Sequence, residues 1–302
     1  MKKGNIILLL LLLCIVFAFS PITFNNNRKL NVGYSDDIEF DYENVRLSEV
    51  SGRIHIDNNW TDAWDAGICT GNGTYSDPYV IEDYVIDGRG SGIGIWVENS
   101  NVSFIIRNCT VYNSGVGIQL SNVINSQLIN NNCSLTNSYG GIRLSFSNYN
   151  NLSGNTANNN DEYGIYLYYC DSNTASGNTA NSNDVGIIIQ GSDNSIVSGN
   201  TANNNTEEGI SLLYSDNNML SGNTVNYNFI GIYLYSSYYN IISGNTLLGN
   251  YYCIFEENCE GNIFENNDCG GGDGRIPGFN LLFLLGILSV VVILIKNIKR
   301  NY

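Results

Sequence analysis

The sequence predicts an all-β chain: a right-handed parallel β-helix solenoid of about eight or nine coils, with an N-terminal cap and a C-terminal transmembrane helix. Three observations carry this reading. The string Ser-Gly-Asn-Thr recurs at Ser153, Ser176, Ser198, Ser221 and Ser243, a period of 22 to 24 residues, and a fixed period of this length marks a stack of coils. A Gly-Ile pair recurs with the same period, at Gly117, Gly141, Gly164, Gly186, Gly209 and Gly231, with Cys253-Ile254 in its place in the last coil. After the Gly, Ile165-Tyr166-Leu167-Tyr168 and Ile232-Tyr233-Leu234-Tyr235 alternate with period two, as a strand with one buried face does. A coil this short holds two or three brief strands and no helix.

The elements follow in order. Residues 1–20 carry Lys2 and Lys3, an apolar run and small residues before Pro21, the pattern of a secretory signal peptide. Residues 21–53 are polar and read as a flexible segment. Residues 54–92 are aromatic and turn-rich and form the N-terminal cap and first coil, because an open solenoid end would expose strand edges. Residues 93–269 are the repeats. Their ladder Asn is read at Asn108, Asn132, Asn155, Asn178, Asn200, Asn223, Asn245 and Asn267, where stacked amides roughly 4.8 Å apart can bond along the axis. Gly before Ile suits either a positive φ or close backbone approach. Residues 270–278 are a Gly-rich linker, and 279–302 an apolar stretch with a basic end that reads as a membrane anchor.

The net charge is −15, and the termini hold Lys2, Lys3, Lys296, Lys299 and Arg300, so the stretch between is more acidic still. Such a surface excludes nucleic acid as a partner and disfavours anionic polysaccharide unless cations bridge. The expected partners are the membrane, through the C-terminal helix, and a surface glycan or envelope protein. Asn-x-Ser/Thr, the glycan-acceptor pattern of a secreted chain, occurs at Asn59, Asn72, Asn101, Asn108, Asn132, Asn151 and Asn204, of which Asn108 and Asn132 are read as ladder residues and are poor acceptors. Cys109 and Cys133 read as column neighbours, either bridged or as two inward thiols, and Cys253, Cys259 and Cys269 cluster where a disulfide could secure the last coil.

Gly73-Thr74-Tyr75-Ser76-Asp77-Pro78-Tyr79-Val80-Ile81-Glu82, continuing to Gly88, resembles the lead-in of NosD-like right-handed β-helix proteins, and the repeats after it are similar to that family's. The resemblance runs from Ile54 to Asp268 and implies the pectin-lyase-like group, which includes polysaccharide lyases, hydrolases, epimerases and non-catalytic surface proteins. Ile276-Pro277-Gly278-Phe279 resembles the PGF-type C-terminal sorting signals of archaeal surface proteins, which implies enzymatic removal of the tail. Pro277, Gly278 and Phe279 are the motif residues, and the Thr-rich stretch that usually precedes them is missing.

The chemistries that the family implies can be set against the residues. The family's name points to copper, but His55 is the only histidine and Met219, read as a core residue, the only methionine besides Met1. Glycoside hydrolysis needs paired carboxylates. Asp171, Asp193 and Asp216 align seven residues before their ladder Asn and are the catalytic candidates, with Asp193 and Asp216 also candidate Ca²⁺ ligands, the one cofactor the residues admit. Asn holds the same place in earlier coils, so turn capping explains the column as well. The Asp-Pro-His string of epimerases is absent, Asp77-Pro78-Tyr79 being nearest.

A binding face is the other expectation. The outward positions after Gly-Ile form two columns, Trp96, Gln119, Arg143, Tyr166, Ile188, Ser211, Tyr233, Phe255 and Glu98, Ser121, Ser145, Tyr168, Gln190, Leu213, Tyr235, Glu257. Trp96, Arg143, Tyr166, Tyr168, Gln190, Tyr233 and Tyr235 are the candidate ligand-binding residues, a strip suited to stacking sugars or docking a protein. Ordinary strand propensity would also place Tyr, Ile and Phe there. The reading is a surface-anchored, non-catalytic module, with a polysaccharide-active enzyme and a structural envelope protein as alternatives.

Overall fold

Alternation of apolar and polar residues gives each repeat one wall of a three-sided coil, and stacking repeats in parallel builds the walls into sheets. The computed structural model describes residues 50–270. The expected signal peptide, most of the polar segment, the linker beyond 270, the Pro277-Gly278-Phe279 motif and the anchor at 279–302 lie outside the described residues. Among the described residues no helix is long and apolar enough to cross a membrane.

The first wall is a nine-stranded parallel sheet of Ile54–Asp57, Ile93–Ser100, Val116–Val123, Gly140–Ser145, Tyr163–Tyr168, Val185–Gln190, Glu208–Leu213, Ile230–Tyr235 and Tyr252–Glu257, called the long sheet below. The second is a nine-stranded sheet of shorter strands, running from Tyr79–Glu82 and Phe104–Arg107 to Ile241–Ser243 and Ile263–Glu265. The third begins as Val50–Ser51, Val85–Asp87 and Thr110–Tyr112 and continues as single bridges, Thr110 to Asn132, Thr156, Thr179, Thr201, Thr224, Thr246 and Asp268. Register is preserved from coil to coil, as in the pairings Ile142 with Ile165 and Ile165 with Ile187.

In-register stacking sorts side chains into columns. Ile118, Ile142, Ile165, Ile187, Ile210 and Ile232 fill one inward column, Leu120, Leu144, Leu167, Ile189, Leu212 and Leu234 a second, and Leu128, Leu152, Ala175, Val197, Leu220 and Ile242 a third. All are fully buried, each Leu or Ile contributing roughly 1.5–3 kcal/mol. The N-terminal end is covered by the short helix α1, Trp60–Asp65. Trp60 is buried, stacks on Tyr79 at 4.8 Å and donates from Nε1 to Ser100 Oγ at 2.8 Å. At the other end a disulfide joins Cys253 and Cys269, with Cα atoms 5.7 Å apart.

Asn columns secure the turns. Asn200 shows the pattern: its Oδ1 accepts the Asn178 N–H at 2.8 Å and Asn178 Nδ2 at 3.0 Å, while its Nδ2 donates to Asn223 Oδ1 at 3.0 Å and to the Ala175 carbonyl at 2.9 Å. The same bonds run from Asn131 through Asn155 to Asn267, and a parallel ladder joins Asn160, Asn183, Asn205, Asn228 and Asn250. Buried amide and backbone groups that would each cost free energy if left alone are thereby satisfied.

The expected ladder is out by one residue in its first two coils. Asn131, not Asn132, continues it, and Cys109, not Asn108, occupies the coil before, donating its backbone N–H to Asn131 Oδ1. Asn108 and Asn130 instead stand where later coils have the Gly of Ser-Gly-Asn-Thr, at φ +54° and +53° beside +65° for Gly154. Asn is the residue that best tolerates this left-handed conformation without being Gly. The shift separates Cys109 from Cys133. Cys133 lies under Gly117 in the column that continues as Ala157 under Gly141 and Ala180 under Gly164, and both cysteines are free and buried. Gly164, by contrast, answers to close approach: an added Cβ would lie 2.7 Å from the Gly186 carbonyl oxygen. Met219 is not a core residue. It opens a strand of the second sheet and is exposed.

Candidate functional site

The outer face of the long sheet is where the coils line up rings. Pairing places His55, Trp96, Gln119, Arg143, Tyr166, Ile188, Ser211, Tyr233 and Phe255 in one column. Glu98, Ser121, Ser145, Tyr168, Gln190, Leu213, Tyr235 and Glu257 form the next, two residues along the strand. The structure divides the sequence-predicted residues among three groups on this face.

The first group is Arg143, Tyr166, Tyr168 and Gln190. The Arg143 guanidinium carbon lies 5.7 Å from the Tyr166 ring centroid, a cation–π contact, and Tyr166 Oη is hydrogen-bonded to Gln190 Oε1. Three rings that the sequence reading left out complete it. Tyr163 meets Tyr166 edge-on at 4.8 Å, and Phe146 stacks flat on Tyr169 at 5.6 Å beside Tyr168. Burial pushes the Tyr163 phenol up to about 12, against the lowering effect of Arg143, and raises Tyr166 in the same sense.

The second group holds Tyr233 and Tyr235, with ring centroids 6.5 Å apart. Tyr233 stacks on Phe255 at 5.8 Å, Tyr235 meets Tyr214, and Tyr252, Tyr251 and Phe229 extend the cluster. This end is acidic. Tyr233 Oη lies 3.4 Å from Glu257 Oε2, and its phenol is pushed up to about 12 by burial and then by Glu257. Glu208, on the same face, has its carboxyl raised by burial first and by Glu207 second. Trp96 stands apart in a third group, stacked on His55 at 4.3 Å, with His55 Nε2 2.8 Å from Glu98 Oε1.

The Asp column lies on a turn away from this face. The backbone N–H groups of Asp193, Asp216 and Tyr238 donate to Oδ1 of Asp171, Asp193 and Asp216 at 2.8, 2.7 and 2.7 Å. In the coil before, the Asp171 N–H donates to Asn148 Oδ1 in the same way, at 2.8 Å. That is the geometry of a capped turn, with Asn and Asp interchangeable in it.

Among the described residues no three His, Cys, Asp or Glu side chains are placed to hold a metal ion. The soft donors are also scattered. The Cys109, Cys133 and Cys170 thiols are buried in the core and raised by that burial, Met219 faces outward on another wall, and His55 is engaged with Trp96 and Glu98. A copper site needs several such ligands converging, and these do not.

A family profile described as periplasmic copper-binding protein (NosD) matches residues 73–195 and 158–271. The chain belongs to the NosD family. No curated protein matches it. Among solved structures it is similar to the periplasmic alginate epimerase AlgG, with a TM-score of 0.57 and 19% identity over 63% of this chain and 50% of that one. The A-module of mannuronan C-5 epimerase AlgE4 from Azotobacter vinelandii aligns at a TM-score of 0.42 and 14% identity, over 77% of this chain and 96% of that one. The NosD chain thus spans about half the length of AlgG, and the likeness is one of fold: a right-handed parallel β-helix of the pectin-lyase-like kind. The described donor set of this NosD protein does not fit the metal in the family's description.

Proposed function

We propose that this NosD-family chain is a secreted β-helix held at the outer face of the cell membrane, which recognises a glycan through the aromatic strip of the long sheet without turning it over. The observation that carries the reading is the outer pair of columns. Identical strand register brings Tyr166, Tyr168, Tyr233, Tyr235 and Phe255, from coils far apart in sequence, onto one face. Half-buried rings with polar groups at their edges suit the apolar faces and hydroxyl rims of sugars. The extracytoplasmic placement rests on the signal-like start and on the word periplasmic in both the family description and the AlgG name. Anchoring rests on the apolar run and basic end of 279–302, with Pro277-Gly278-Phe279 as the sorting motif.

The test is a screen of the purified full-length protein for glycan binding and polysaccharide turnover, with and without Ca²⁺. Binding without new chain ends supports the reading. A blank glycan screen would turn attention to an envelope protein as the ligand or to a structural role. A second reading, a polysaccharide-active enzyme, has one observation in its favour: Glu208 is a carboxyl whose pKa is raised by burial on the aromatic face, as a general acid requires. Turnover that is lost in Glu208→Gln or Asp193→Ala would establish that reading instead.

A further inference from the structure

Arg143 is an anomaly of charge. From residue 108 to 270 it is the single basic side chain, among thirteen Asp and Glu. Yet the ion pairs of the described residues are His55 with Glu98 and Arg107 with Glu82, and Arg143 is in neither. It sits instead against the Tyr166 ring on the outer face of the long sheet. The same spot is an anomaly of hydrogen bonding. Five buried side-chain polar atoms of the described residues lack a partner, and three of them, Arg143 Nε, Ser145 Oγ and Tyr163 Oη, lie on two adjacent strands here. The ladder bonds satisfy nearly every other buried amide in the coils, so three orphans on two adjoining strands call for a ligand or water. Tyr163 and Ser145 are 5% and 7% exposed, which makes these groups part of a built site rather than surface ornaments.

We propose that Arg143, Ser145 and Tyr163 form a subsite for one acidic sugar residue within an otherwise neutral glycan, the sugar carboxylate on Arg143 and the two hydroxyls, its ring against Tyr166. This deepens the glycan reading above and rests on it. A guanidinium is the side chain fitted to a carboxylate, and its Nε–H and the two hydroxyls supply the donors that such an anion accepts. These atoms are buried in the free protein, so reaching them requires side-chain rearrangement on this face. The charge count selects a single anion over a polyanion. One cation faces one carboxylate, whereas a chain of carboxylates laid along the axis would run past Glu208 and Glu257, which lie on the same face.

The experiment is calorimetric titration of the full-length protein with two tetrasaccharides that differ at one residue, glucuronate in one and glucose in the other, and with a tetrameric polyuronate. The glucuronate form is expected to bind at least tenfold tighter than the glucose form. Arg143→Gln is expected to abolish that preference, bringing the affinities of the two forms together, and Arg143→Lys to keep part of it. Tyr163→Phe is expected to weaken the acidic ligand severalfold with no loss of melting temperature, since the hydroxyl it removes has no partner in the free protein. Equal binding of the two tetrasaccharides would overturn the subsite and leave the strip reading standing. Binding of none of the three would overturn both. A preference that survives Arg143→Gln, or a polyuronate that binds tightest, would also overturn it.

Discussion

Replacing Asn200 by Ala tests the ladder where its contacts are most complete. Asn200 is fully buried, and the change removes four side-chain hydrogen bonds. The Asn178 N–H loses its acceptor outright, at a cost of about 1–3 kcal/mol for a buried donor. Asn178 Nδ2 and Asn223 Oδ1 keep other partners, at Leu152 O and the Asn200 N–H, and with Ala175 O lose one bond each, about 0.5–1.5 kcal/mol apiece. The total comes to about 2.5–7.5 kcal/mol. Asn203→Ala is the control. Its Oδ1 also accepts a backbone N–H from the next coil, Asn226 at 2.7 Å, but it stands on the half-exposed outer column where water can replace it. That change should cost about 1 kcal/mol or less. Urea unfolding followed by circular dichroism measures both, with equal m-values required before midpoints are compared, because repeat arrays can lose cooperativity. If Asn200→Ala and Asn203→Ala came out within about 1 kcal/mol of each other, the reasoning that burial makes the inner ladder indispensable would be refuted.

Gly164→Ala should destabilise by more than Gly199→Ala in thermal melts. The first puts a Cβ 2.7 Å from a backbone oxygen, while the second has open space and meets only the left-handed φ of +61°, roughly 1–2 kcal/mol. Stability should fall as pH rises above about 9. The Cys109 and Cys170 thiols are raised by burial to about 11 in the folded chain, so the unfolded chain ionises first, and their contribution is whole below the unfolded value and lost through the folded one. Urea midpoints between pH 7 and 11 would show the decline, and a flat profile would contradict it. Cys109, Cys133 and Cys170 should resist iodoacetamide until the chain unfolds, with the part-buried Cys259 reacting first in a timed mass-spectrometric assay. Removing the Cys253–Cys269 bridge, which closes a 16-residue separation, should cost about 3 kcal/mol and expose the last coil to protease.

Much of the fold was legible because a strict period constrains every residue at once. The outward columns read from Gly-Ile are the columns of the long sheet, residue for residue. The ladder slipped where the marker string is absent. Asn130, Asn131 and Asn132 stand in a row, and only the backbone tells that Asn130 takes the left-handed place while Asn131 turns inward. The disulfide partners were within the expected cluster, but the choice of Cys269 over Cys259 depends on which column each falls in.

The site was half visible. Tyr163 precedes its Gly and lies outside the alternating run, yet its ring covers Gly140 and joins the outer face. Phe146, Tyr169 and Tyr214 follow their strands at φ +50°, +51° and +52°, a conformation that bulky residues rarely adopt, so propensity gave no reason to count them. Their column could have been found by extending the repeat alignment one residue past each strand, where Phe146, Tyr169 and Tyr214 fall in register. Glu208 carried no signal, since its position is Val185 in one neighbouring coil and Ile230 in the other.

The central claim is that the long-sheet strip is the recognition face and the Asp column a turn. Glycan-array binding of the full-length protein, compared between Tyr166→Ala with Tyr235→Ala and Asp193→Ala with Asp216→Ala, tests it most directly. The account predicts at least a tenfold loss of binding for the tyrosine pair and near-unchanged binding for the aspartate pair. Loss of binding or of polysaccharide turnover in the aspartate pair, with the tyrosine pair unaffected, would contradict it.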